Sequence, residues 1–242
     1  MNLAPIQIFN ISFILLVAVL YSVLIAGATY ASRQVGQASR IPLFILRFLC
    51  GGFLLITGLL ALKGWFRDFS AMPPRPMIVF IIGFTGMCIL ANRAQALRWL
   101  AQIPQSWIIL AQSFRIVVEV LFFFLAKAAF LPQIMTFEGR NFDILIGLSA
   151  PVLGHFVDRA DKAGRGAKFY KLIFVWNIVG LILVSNAFLT AILSAPTPIQ
   201  RFFVQPPMSL IGHFPYIWLP AFVVPFAFLL HMLSLRKLLS PK

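Results

Sequence analysis

The stretch Gln105–Leu131, QSWIILAQSFRIVVEVLFFFLAKAAFL, is long and apolar enough to cross a bilayer, yet it carries Arg115 and Glu119 near its middle. A spanning helix needs about 20 apolar residues. An ionised side chain at its centre costs roughly 2.5–3.5 kcal/mol on insertion scales. Four residues apart, the two side chains share one helix face, and that face cannot point at hydrocarbon. The rest of the chain must supply helices that cover it. This restricts the fold to an all-α bundle assembled around the fourth of its apolar segments.

The composition agrees with a bilayer as solvent. The chain is 61% hydrophobic and 11% charged, whereas soluble domains carry about 25% charged residues. Apolar runs are readable at approximately 6–30, 41–62, 77–92, 105–131, 142–157, 172–193 and 216–235. A single transmembrane domain over 1–242 with about seven helices is therefore expected. The third run is short, and RAQALRWLAQ after it suits a helical extension in the headgroup zone. The formal charge of +14 arises mostly from Lys and Arg between the runs. That is where loops meet anionic headgroups, so the implied partner is the lipid bilayer and not nucleic acid.

Of the twenty Lys and Arg residues, twelve fall on the side of the first, third and fifth loops and the C-terminal tail. Six fall on the opposite side, and Arg47 and Arg115 lie within runs. The excess places the N-terminus outside and the C-terminus in the cytoplasm.

Several polar groups could serve a ligand or ion pathway. Arg115 and Glu119 are central, Asp143 and Asn186 fall toward the outer half, and Asn177, His155 and His231 toward the inner half. Packed face to face they would form a polar ladder, and intramembrane ionisable groups mark solute paths or relays. Glu138, Arg140 and Asn141 lie in TFEGRNFD (136–143), the most polar short stretch, and are outer-loop candidates. Asn141 or Asp143 could equally be a helix N-cap. The Arg115–Glu119 pair could equally be a structural lock. Gly147, Pro151 and Gly154 interrupt the fifth run, by unwinding at a binding site or by kinking. Pro215, Pro220 and Pro225 rule out a straight seventh helix. The loop between the last two runs, SAPTPIQRFFVQPPMSLIGHFP, is rich in proline and aromatics, and its apolar character suits a lid over the bundle mouth or a docking surface.

Other chemistry is not indicated. Cys50 and Cys88 sit in apolar runs without a CxxC pattern. His155, Asp158 and Asp161 could align along a helix, but five neighbouring cations argue against a metal, and no cofactor is implied. There is no P-loop, GxSxG or HExxH. Pro104-Gln105 and Pro132-Gln133 flank one helix, whereas PQ-loop transporters carry one such pair in each of two distant repeats. The last run has no lysine for a rhodopsin-type Schiff base.

The segments MTFEGRNFDILIGLSAP (Met135–Pro151), WNIVGLILVSN (Trp176–Asn186), LSAPTPIQ (Leu193–Gln200) and FPYIWLPAFVVPFAFLLHMLSLRKL (Phe214–Leu238) carry a resemblance. They are similar to a group of uncharacterised small bacterial multi-span inner-membrane proteins, and the likeness runs from Ser113 onward. It implies a bacterial cytoplasmic (inner) membrane location and brings no activity. Three readings follow. The first is a carrier, channel or sensor for a small solute or ion, with its polar site around Arg115 and Glu119. The second is a structural or accessory subunit with a membrane-protein partner. The third is a membrane-embedded enzyme acting on lipids.

The charge asymmetry is checked with C-terminal fusions. A fluorescent-protein fusion is expected to glow and an alkaline-phosphatase fusion to be inactive; the reverse pattern contradicts the orientation.

Overall fold

A computed structural model describes residues 4–36 and 40–240. Lys242, counted above among the C-terminal cations, lies outside the described residues. The fold is all-helical, with no strand among the described residues. The helices are α1 (Ala4–Val35), α2 (Arg40–Leu62), α3 (Arg75–Asn92), α4 (Ala94–Gln102) and α5 (Gln105–Ala111), followed by α6 (Phe114–Lys127), α7 (Ile144–Lys162), α8 (Tyr170–Ser194) and α9 (Val224–Leu239). Six segments are long and apolar enough to cross a membrane: α1, α2, α3, α5 with α6, α8, and α9 with the turn before it.

The α9 segment is the hub. In its most apolar window 67% of residues are buried, against 22–28% for α1, α2, α3 and α8. Those outer helices turn apolar side chains such as Ile8, Phe48, Ile82 and Ile182 outward, as a lipid-facing surface requires. The α9 segment opens with a π-helical turn, Leu219–Val223, that carries Pro220. The missing proline N–H is accommodated by widening that turn, so the segment departs from regular α-helix at Pro220. The backbone of α3 packs closely against the turn: a Cβ on Gly83 would collide with the carbonyl oxygen of Ala221.

Four expectations need correction. First, the run at 105–131 is not one helix. Gln112 and Ser113 separate α5 from α6, and the amides of 112, 113, 115 and 116 bond three residues back at 3.0–3.2 Å. This local tightening keeps the segment continuous without regular α geometry. Second, Gly147, Pro151 and Gly154 do not unwind α7, which is one helix with Pro151 inside it. The glycines serve close approach: a Cβ on Gly147 would lie 2.9 Å from the Ile116 amide nitrogen, and one on Gly154 2.6 Å from Leu110 Cγ. Third, the helical extension of α3 is interrupted at Arg93, whose extended backbone (ψ 144°) ends α3 before α4 begins. Fourth, α7 is not among the segments apolar enough to span. Asp158, Arg159, Asp161 and Lys162 occupy its last turns, so its apolar part, 144–157, extends only about 21 Å at 1.5 Å per residue.

The route of α7 explains that shortness. Its N-terminal end lies beside Arg115 and Ile116, Gly154 beside Leu110, and Asp158 accepts a hydrogen bond from Ser106 Oγ at 3.4 Å. It therefore runs antiparallel to residues 106–116, the first half of the 23-residue α5–α6 segment. The second half is matched by the chain between Leu131 and Asp143, one 3-10 turn (Gln133–Met135) followed by irregular backbone, which runs beside α6. The loop 195–215 folds back over the same end of the bundle. It buries Met208 completely, while Phe203 is 85% exposed.

Candidate functional site

Midway along α5–α6, Arg115 and Glu119 are each 1% exposed. Their position on one helix face is as the spacing requires. They do not pair with each other. Arg115 Nη1 forms an ion pair with Asp143 Oδ1, and Arg115 Nε donates to Gln112 Oε1 at 3.1 Å. Glu119 Oε1 accepts from Asn141 Nδ2 at 2.5 Å. An Arg placed N-terminal to a Glu is the weaker order within a helix, and here each finds its partner elsewhere.

The loop before α7 is what delivers those partners. Asn141 Nδ2 also donates to the Met135 carbonyl at 3.1 Å, and Asn141 Oδ1 accepts the Asp143 amide at 3.2 Å. This local turn satisfies backbone groups that have no helical partner, a requirement for irregular chain away from water. Asp143 stands at the N-cap position of α7 without making a side-chain cap bond, and its carboxylate goes to Arg115 instead. Neither Asn141 nor Asp143 is a simple N-cap.

A second polar cluster lies further along α9. Asn177, His231 and Ser234 are at most 1% exposed. Asn177 Nδ2 donates to Ser234 Oγ at 2.8 Å, Asn177 Oδ1 lies 2.8 Å from His231 Nδ1, and Gln105 Nε2 donates to Ser234 Oγ at 2.6 Å. The imidazole fits only because residue 180 is glycine; a Cβ there would collide with the ring. Gln112 links the two clusters: its Nε2 donates to the Ala227 carbonyl at 3.3 Å, one helical turn before His231. The ladder thus consists of polar side chains that recur from Asn141 to Gln105, in two clusters separated at Ala227 by a turn of α9 backbone.

Two expected members are absent from it. His155 is exposed on α7, with its ring 6.1 Å from Phe156. Asn186 donates to the Arg140 carbonyl at 2.6 Å and ties α8 to the outer loop. Of the outer-loop candidates, Glu138 pairs with Lys127 at 3.1 Å, and Arg140 stacks its guanidinium 5.0 Å from the Phe202 ring centre. Both stand apart from the buried cluster, whereas Asn141 belongs to it. Gln105, Gln112 and Ser234 were not singled out from the sequence. The signal was present for the first two: positions 105, 112, 115 and 119 follow helical periodicity on one face.

Arg115, Glu119, Asn141 and Asp143 line a partly open cavity of about 90 Å³ bordered by α3, α6, α8, the α9 segment and the adjoining loops. Its other walls are apolar, including Met77, Phe80, Phe114, Phe122 and Phe188. Arg115 Nη2 and Glu119 Oε2 are buried and have no hydrogen-bond partner. An unsatisfied buried polar group costs about 1–3 kcal/mol, more when charged, so the two unpartnered atoms are held at a cost to the fold. Among the described residues no three His, Cys, Asp or Glu side chains converge on a metal-sized site.

Six helices long and apolar enough to span, around a cavity lined by buried polar side chains, fit a helical membrane protein. The chain belongs to the family described as Domain of unknown function (DUF8737), which matches residues 73–239. The match includes every residue of the site. No curated protein and no solved structure matches the chain.

Removing the cation is the sharpest stability test. Arg115→Met strands two buried carboxyl groups and is expected to cost about 3–5 kcal/mol by thermal or denaturant unfolding in detergent. The triple variant R115M/E119Q/D143N, with no ionisable group left in the cluster, is expected to recover at least half of that loss. An Arg115→Met protein as stable as wild type contradicts the buried ion pair.

Proposed function

We propose that this protein is a carrier or sensor of a bacterial cytoplasmic membrane, oriented N-out and C-in, that binds its ligand in the Arg115–Glu119–Asp143 cavity. The observation that supports this reading is the combination at one place of a cavity and two unsatisfied, buried, ionisable side chains. A purely structural lock would pair its charges fully, because each unpaired group weakens the fold. A ligand that donates to Glu119 Oε2 and accepts from Arg115 Nη2 would complete the set.

The chain around the cavity also suits a ligand-responsive site. Asn141 and Asp143 belong to irregular backbone running into α7 beside the middle of α5–α6. Helices interrupted at that depth are where transporters form their sites. The loop that carries them can move without unravelling a helix, so ligand binding at Glu119 and Arg115 would be felt directly by Asn141 and Asp143. This reading counts about seven helices, with α7 and the loop before it together making one crossing.

Glu119→Gln separates function from folding, because the amide oxygen still accepts from Asn141 while the second oxygen is replaced by a donor. In cells lacking the native copy, the variant is expected to insert at wild-type level and fail to restore any deletion phenotype that wild type restores. Full rescue by the folded variant contradicts the site.

A further inference from the structure

α3 and α8 both pack on the α9 segment, and the rim of the bundle between them is closed chiefly by side chains. Across this seam the rings of Phe80 and Phe188 stack with centroids 3.8 Å apart. Both residues are half-buried, and both line the cavity that holds Arg115 and Glu119. Met77 and Ala191 continue the same wall on either side of the seam. On the outward faces of the two helices, Ile81, Ile82, Ile182 and Leu189 are 49–61% exposed and apolar. A molecule crossing the seam would therefore pass from hydrocarbon to cavity without meeting a polar group, with two aromatic rings as the barrier.

The cavity selects the chemistry of such a molecule. At about 90 Å³ it is well below the roughly 300–1,000 Å³ of a site that encloses a drug-sized ligand. Only a compact head fits, and the remainder must lie in the apolar seam. The head meets one guanidinium already paired with Asp143, together with a second carboxyl group on Glu119. An anionic head would face two carboxyl groups against one cation. A head with both a hydroxyl or N–H donor and an oxygen acceptor matches Glu119 Oε2 and Arg115 Nη2 without adding charge.

Resting on the site proposed above, we infer that the ligand is a single-chain amphiphile with an uncharged hydroxyl- or amide-bearing head, which enters sideways from the bilayer between Phe80 and Phe188. The two rings act as a lateral gate: they part to admit the chain and seal around it once the head reaches Arg115 and Glu119.

The test uses full-length protein in lipid nanodiscs and 1-monooleoylglycerol bearing a diazirine in its acyl chain. In a background with Cys50→Ala and Cys88→Ala, Phe80→Cys and Phe188→Cys are joined by a short bifunctional thiol reagent that thiol reduction cleaves. Linking is expected to slow photolabelling of cavity residues at least tenfold, and cleavage is expected to restore it in the same sample. Oleate at pH 8 is expected to compete at least tenfold less well than unlabelled monooleoylglycerol. Labelling kinetics unchanged by the linker overturn the lateral gate, and equal competition by oleate overturns the uncharged head. Glu119→Gln distinguishes these failures from failure of the site itself. If the linker has no effect but Glu119→Gln cuts labelling at least tenfold, the site stands and the gate falls. If Glu119→Gln labels like wild type, the site falls as well.

Discussion

The Arg115 guanidinium cannot be left in hydrocarbon, and the arrangement of this bundle follows from covering it. Arginine stays charged at any physiological pH, and taking such a group out of water costs several kcal/mol unless geometry and hydrogen bonds compensate. Compensation comes from three directions: Asp143 ahead of α7, Gln112 one turn earlier on its own segment, and the α9 backbone behind Gln112. Delivering Asp143 to that depth requires irregular chain, after a short 3-10 turn at Gln133–Met135, to run alongside α6. That chain in turn requires Asn141 to satisfy its backbone, and Asn141 brings the chain to Glu119. The short α7 and the break at Gln112 belong to the same arrangement, as does the close approach at Gly147.

Much of this was legible in the residues. Apolar runs located the helices, because in a bilayer the hydropathy of some 20 residues decides their fate almost independently of context. Burial of Arg115 and Glu119 followed from their cost in lipid. The identity of their partners did not follow. Asn141 and Asp143 look like N-cap residues at the start of an apolar run, and only the tertiary path shows that Asp143 turns its side chain to Arg115. Gly147, Pro151 and Gly154 read as helix breakers on propensity alone. Packing against the α5–α6 backbone reverses that reading, since a glycine without a side chain lets two helices touch. His155 and His231 are the same residue type near the same end of the bundle. Which is buried depends on helix rotation: His231 faces Gly180 across α8, whereas His155 lies on the exposed side of α7.

The two polar clusters divide the interior into a stiff half and an adaptable half. Around Asn177, His231, Ser234 and Gln105 the hydrogen bonds join regular helices, and the small Gly180 leaves no room for rearrangement. Around Glu119 the partners come from a loop and a cavity adjoins the charges; unpartnered polar atoms occur in both clusters, Arg115 Nη2 and Glu119 Oε2 here and Gln105 Oε1 and His231 Nε2 there. Occupation of the cavity would be expressed through the loop and α7, with α9 as the fixed reference.

The central claim is that Arg115 is neutralised inside the bundle by Asp143. Solid-state NMR in bilayers measures it directly, with ¹⁵N in arginine and ¹³C in aspartate. Asp68→Asn removes the other short arginine–aspartate pair, Arg75 with Asp68 at 3.0 Å. The account predicts one remaining guanidinium nitrogen within about 4 Å of a carboxylate carbon, abolished by Asp143→Asn. A guanidinium with no such contact, showing proximity to acyl chains or lipid phosphate instead, would contradict it.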